Sequence, residues 1–419
     1  MRTIVLAVTA ILTSAAGGIE TGKPYSATFK MLRPAGQHLT FDSNLKDHGP
    51  LLETRGQVFA TGKSLYYRDW LIAEPGEEPI AGPNFDATSC SACHIETAVR
   101  SGATTIPFTR WIVKPVVSRH ISHYGTQINL RNRFNLPAVD QLNIIIVPHE
   151  FIYPDGSKVH LSYPLATAKM QDGKWIPVGL RVAPSLFGWG LLEVANIEMI
   201  AHFHDPEDKN GDGISGRMIF NQGDQNLQVF GWKNSHATLS SQITAALKND
   251  MGVTLALGCE IDCPTEINKS ELHSLIEYVR SLGAPDRRHS PDVTGQHLFG
   301  LAGCSNCHTP ILITNDNENP SLANQLIWPY SDLLLHDMGP LLADVGNVVD
   351  SSEWRTTPLW GIGLIETYYP ERGFLHDGRA KSIEEAILWH GGEGTAARDY
   401  YSNLNKESRD ALLNFVRSL

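Results

Sequence analysis

The chain has 419 residues, of which 42% are hydrophobic and 19% charged. That is enough for two or three packed domains and too apolar for a disordered chain. A formal net charge of −11 speaks against nucleic acid as a partner and is compatible with a basic protein partner.

Arg2 and the short apolar run Ile4 to Ala16, ending in Ser14-Ala15-Ala16 before Gly17, predict a signal peptide over residues 1–16. An N-terminal arm is expected over 17–45. The apolar run is too short to span a bilayer, and no later stretch approaches the required length, so no membrane span is expected.

Cys90-Ser91-Ala92-Cys93-His94 and Cys304-Ser305-Asn306-Cys307-His308 are two copies of C-x-x-C-H. Two cysteines so spaced can each form a thioether to a haem vinyl group, and the following histidine then serves as the fifth iron ligand. Zinc would want four ligands, and a redox dithiol does not need the histidine. Two covalently bound c-type haems are therefore expected. Covalent haem attachment in bacteria takes place outside the cytoplasm, which agrees with the signal peptide and predicts a periplasmic protein. The remaining cysteines, Cys259 and Cys263, are expected to form a disulfide there.

Between the motifs, Asn143 to Val147, Phe151 to Tyr153 and Val159 to Tyr163 read as strands around the turn Pro154-Asp155-Gly156-Ser157. One or two hairpins are expected there. Further on, Asp208-Lys209-Asn210-Gly211-Asp212-Gly213 sets oxygen side chains at alternate positions. Ile219 stands where an EF-hand would need a glutamate, so Asp208, Asn210 and Asp212 form either a non-EF calcium site or an Asp/Gly turn.

Three strings occur twice in the same order. Gly56-Gln57-Val58-Phe59 echoes Gly295-Gln296-His297-Leu298-Phe299. Arg181 to Glu193 echoes Arg355 to Glu366. The helical stretches Leu275 to Leu282 and Leu412 to Leu419 both end in V-R-S-L. The predicted fold class is mainly α, with two cytochrome c-like haem domains. The first covers 46–284 and carries a β-hairpin-containing insertion at about 105–180; the second covers 285–419. The linker Gly283 to Pro291 separates them.

Each iron also needs a sixth position, either filled for electron transfer or open for chemistry. Candidates at the second haem are Met338, His336, His376 and His390, the last ending a predicted helix, Ser382 to Trp389. At the first haem, His120, His123, His149 and Gln127 could reach the distal pocket, and an open site is equally compatible.

With these residues in place, the chain resembles the di-haem oxidoreductase family of peroxidase-like proteins, sometimes labelled thiol oxidoreductases. More distantly, it is similar to the bacterial di-haem cytochrome c peroxidases. The residues that carry the resemblance include Gly82-Pro83-Asn84-Phe85, Gly211 to Arg217, Phe230-Gly231-Trp232-Lys233, Leu333 to Pro340, and Phe374 to Ala380. The resemblance implies a reactive N-terminal haem fed by an electron-transfer haem at the C-terminus. It also favours His308/His390 ligation of the latter over Met338. The family's acid/base glutamate has no matching segment here, which leaves Glu193 and Gln127 as candidates for acid/base or peroxide-positioning roles. The function so implied is reduction of peroxide or a related oxidant with electrons from a small redox protein. The alternatives are a non-catalytic di-haem electron carrier, and an oxidase of a protein or metal substrate in which Trp232 could relay charge.

Overall fold

A computed structural model describes residues 50–70, 84–94, 111–116, 120, 126–132, 141–255, 266–285, 287, 292–344 and 351–419. The expected signal peptide (1–16), the arm (17–45), His123, the Cys259/Cys263 pair and linker residues 286 and 288–291 lie outside the described residues. In chain order, the elements that position the site are helix α1 (Pro50–Tyr67) and strands β1 (Ile112–Pro115), β2 (Gln141–Ile152), β3 (Lys158–Lys169) and β4 (Trp175–Arg181). Helices α2 (Leu239–Asp250), α3 (Lys269–Arg280), α4 (Val293–Leu301), α5 (Ile383–Leu388) and α6 (Lys406–Ser418) follow.

Helix α1 packs on α3, and α4 packs on α6. Both C-terminal helices start at an asparagine cap. Asn268 accepts from Glu271 N and Asn405 from Ser408 N, satisfying helix-end donors that would otherwise be orphaned. Each then buries an apolar stripe, Leu272, Leu275, Ile276 and Val279 in α3 and Leu412, Leu413, Phe415 and Val416 in α6. Glycine makes both crossings close. A Cβ at Gly62 would overlap the Ser274 carbonyl and Tyr278, and one at Gly295 would overlap the Ala411 carbonyl and Phe415. Counted back from V-R-S-L, these partners are equivalent. The counterpart of Gly295 is therefore Gly62, followed by Leu65-Tyr66 as Gly295 is by Leu298-Phe299. The expected match at Gly56 is displaced, since Gly56 has open space around it.

Other contacts repeat as well. Gly188 N and Gly361 N each donate to the C-terminal leucine of a V-R-S-L string, Leu282 and Leu419, at 2.9 Å. Arg280 pairs with Glu193 at 2.7 Å, and Arg417 with Glu366 at 2.6 Å.

The expectation of a mainly α fold is overturned. Among the described residues, 35% are helix and 20% strand, with a four-stranded antiparallel sheet in the order β1-β4-β3-β2. The β2–β3 ladder runs from Gln141↔Lys169 to Ile152↔Lys158, well beyond the short hairpin expected. Pro148 and Pro164 broke the strand pattern in the sequence, because proline cannot donate to a ladder. Here Pro148 lies on the edge strand. Pro164 lies beyond the reach of β4, which pairs with β3 only from Ala166 to Lys169.

One end of the sheet has its own core of Val113, Ile128, Ala168, Ile176 and Val178. The other end reaches the C-terminal half, where Tyr153 and Leu161 join the core around Phe415 and Trp389. There Tyr153 Oη donates to Glu384 at 2.8 Å, and His149 stacks on Trp389 at 5.1 Å. Among the described residues, no helix is long and apolar enough to cross a membrane.

Candidate functional site

The two C-x-x-C-H strings fold alike. His94 N donates to Cys90 O and His308 N to Cys304 O, both at 2.9 Å. Each histidine is then fixed from behind by a backbone carbonyl. His94 Nδ1 donates to Pro184 O and His308 Nδ1 to Tyr330 O, at 3.0 Å each. This selects one tautomer and leaves Nε2 with its lone pair for a metal. Burial pushes both imidazoles down to about 4, helped at His308 by the nearby His390, so both rings are neutral at pH 7. Burial pushes the Cys90 and Cys304 thiols up to about 12. A redox dithiol needs a depressed thiol pKa, which these cysteines do not have.

The second motif lines a cavity of about 290 Å³ with Met338, His376 and His390. Helix α5 starts at Ser382, whose side chain accepts from Glu385 N, and ends just before His390. His390 Nδ1 donates to Ala386 O at 2.7 Å, and burial lowers its pKa. The ring centroids of His308 and His390 are 6.5 Å apart. Two imidazoles sharing one metal at about 2 Å, with ring nitrogens about 1.2 Å from their centroids, would stand roughly 6 to 6.5 Å apart. The gap therefore fits an iron. The glycines after His390 answer a different need from approach to a haem, since a Cβ at Gly392 would overlap the Asp337 carbonyl.

The other second-site histidines are engaged elsewhere. His336, 2% exposed, donates from Nε2 to Asp332 at 2.9 Å and from Nδ1 to Glu393 at 2.7 Å. Burial disfavours its charged form, but Asp332 and Cys307 outweigh this and hold its pKa well above the usual value. Donor atoms of Cys307, Asp332 and His336 lie within 4.8 Å of one another, an arrangement this buried ion pair accounts for. His376 lies flat on Trp354, centroid to centroid 3.7 Å.

The first motif lines a larger cavity, about 750 Å³, with Lys114, Gln127, His236, Ala246 and Asp250. Helix α2 covers it and is the counterpart of α5. Thr238 caps α2 as Ser382 caps α5. Leu239 N donates to Glu193 as Ile383 N donates to Glu366. Aligned on these caps, the position of His390 is held in α2 by Ala246, which has no donor atom.

Of the residues proposed for this site, Gln127 lines the cavity, while His120, His149 and Glu193 do not. Glu193 instead ties α2 to Arg280. Pro184, Trp189 and Trp232 line both cavities and form a shared wall. Asp208, Asn210 and Asp212 lie in one turn whose side-chain oxygens accept from Gly213 N, Asp212 N and Ile214 N. Asp212 borders the second cavity, and Ser215 donates to Glu393 at 2.5 Å.

Sequence reasoning missed His236, Lys114, Asp86 and Asp250, which no local spacing marks. The helix caps at Thr238 and Ser382 could have revealed the Ala246/His390 equivalence.

Two motif-bearing cavities, one with a second histidine at iron-sharing distance, define a protein built for paired haems. Residues 255–419 match the family described as "Di-haem oxidoreductase, putative peroxidase". This match supports the family resemblance over those residues. No curated protein and no solved structure matches the chain.

Proposed function

We propose that this protein is a periplasmic c-type di-haem enzyme, built from two cytochrome c-like units, that reduces peroxide or a related oxidant at its first site. The second site would relay electrons from a small redox protein. The observation that carries this reading is the single register at which α5 leads to His390 and α2 to Ala246.

Cys90, Cys93 and His94 would hold one haem, and Cys304, Cys307, His308 and His390 the other. Bound haems would supply one-electron redox changes and, at an iron with an open sixth position, a place for the oxidant. The protein's own residues orient and insulate. The Pro184 and Tyr330 carbonyls hold the proximal rings in one tautomer, and Trp189 and Trp232 form an aromatic wall between the cavities. The turn at Asp208, Asn210 and Asp212 would be a calcium site joined to the second cavity through Ser215 and Glu393.

Two measurements test this reading. Denatured protein should keep a mass increment of two haems, and reduced holoprotein should be oxidised by hydrogen peroxide in a stopped-flow mixer. Loss of haem on acid–organic extraction, or no reaction with peroxide, would reject it. A non-catalytic electron carrier is the second reading. It would need His236, which with His94 lines the first cavity among the described residues, to close that iron.

A further inference from the structure

The wall of the first cavity contains a polar cluster that haem attachment does not explain. Gln127 Nε2 donates to Asp86 Oδ2 at 2.7 Å and to Asp250 Oδ1 at 2.6 Å, and it lies 3.2 Å from Asn249 O. Lys114 Nζ donates to Gln127 Oε1 at 2.6 Å. Asn129 Nδ2 and Leu130 N complete the cradle around Asp86, at 3.1 and 2.9 Å. One amide thus bridges two carboxyl groups. Among the described residues, neither carboxyl has a cation within ion-pair distance, because Lys114 is spent on the amide oxygen.

Two part-buried carboxylates that share one site resist ionising together. Burial raises Asp86 to about 6 and raises Asp250 as well, and it lowers Lys114. Asp250, Gln127 and Lys114 line the cavity, with Asp86 behind them.

We infer that Asp86 and Asp250 hold one proton between them and that Asp250 exchanges it with the first cavity. Gln127 and Lys114 are the positioning residues. This deepens the proposed function, on which it rests for its substrate. Turnover takes hydrogen peroxide, two electrons from a one-electron donor protein and two protons to two waters. The O–O bond breaks, the departing oxygen leaves as water carrying the proton from Asp250, and the pair is reprotonated from solvent. Lys114 acts on both carboxyls, Arg181 and His236 act on Lys114, and the Cys90 sulfur lies near Asp250.

The test uses the ferric holoprotein with Asp250→Asn and Asp86→Asn. Infrared difference spectra across pH 5 to 8 should show one protonated carboxyl in the wild type, and each variant should shift or remove its band. Peroxide reaction should slow by about 10²-fold or more in Asp250→Asn, with haem content and visible spectrum unchanged. The wild-type rate should follow the infrared midpoint, and Asp250→Glu should restore part of it. A carboxyl band insensitive to both variants, or an Asp250→Asn rate equal to wild type, overturns the inference. If the wild type ignores peroxide, the proposed function falls, while the infrared bands still decide whether the pair holds a proton.

Discussion

The two cavities share a frame and differ in what covers them. Both have a proximal histidine pinned by a carbonyl, a glycine-mediated helix crossing, a glycine N–H on the last leucine of V-R-S-L, and an arginine–glutamate pair. Over the second cavity lies the short helix α5, which ends just before His390 and is clamped from outside by the β2–β3 hairpin through Tyr153 and His149. Over the first lies α2, with Ala246 in the same register and a cluster of half-buried polar groups beside it. On the proposed reading, a repeated scaffold would support two jobs, one site keeping a second histidine and the other gaining the Asp86–Asp250 cluster.

The largest effect expected from changing this contrast is Ala246→His. A second imidazole at the first site should turn that iron low-spin and slow the peroxide reaction by about 10²- to 10⁴-fold, as loss of an open site removes the chemistry. Stopped-flow rates and the visible spectrum check it. In the opposite sense, His390→Ala should open the second iron, and His390→Met should keep it low-spin while raising its reduction potential. Met338→Ala should leave that spectrum unchanged; if it instead abolishes low-spin character, Met338 is the ligand.

A second prediction concerns what the first cavity lacks, the buried Asp332–His336–Glu393 cluster. His336→Leu strands two buried carboxylates and should cost about 3–5 kcal/mol in urea unfolding of the holoprotein. A cost below about 1 kcal/mol would mean the cluster relaxes into solvent.

The repeated helix crossing gives a third. Gly62→Ala and Gly295→Ala each push a methyl into a backbone carbonyl and should cost about 1–3 kcal/mol. Gly56→Ala, on an open surface, should be neutral or slightly stabilising by helix propensity. Equal behaviour of Gly56 and Gly62 would dissolve the proposed equivalence of α1 and α4. The smallest effect belongs to the Asp208–Asp212 turn. Calcium chelation should lower the melting temperature by a few degrees, and an Asp208→Ala/Asn210→Ala/Asp212→Ala variant should not respond.

What could be read from the sequence was what chemistry writes locally. The C-x-x-C-H spacing, the helix expected from Ser382 to Trp389 and the V-R-S-L helices all lie within a few turns of chain, and the structure forms helices at these places. The sheet was under-read because Pro148 and Pro164 look like strand breakers until the missing neighbours are known. Gly62 was passed over for Gly56 because a helix crossing is invisible in one helix alone. Asp86 and Asp250 escaped notice because Gln127 joins them only once the chain has folded. Ala246 escaped because an absent ligand leaves no motif.

The central claim is that the first iron is open and the second closed. Low-temperature electron paramagnetic resonance of the resting ferric holoprotein tests it most directly. One high-spin signal and one bis-histidine low-spin signal are predicted, with cyanide converting the high-spin signal and leaving the other unchanged. Two low-spin signals, one of them turned high-spin by His236→Ala, would contradict it.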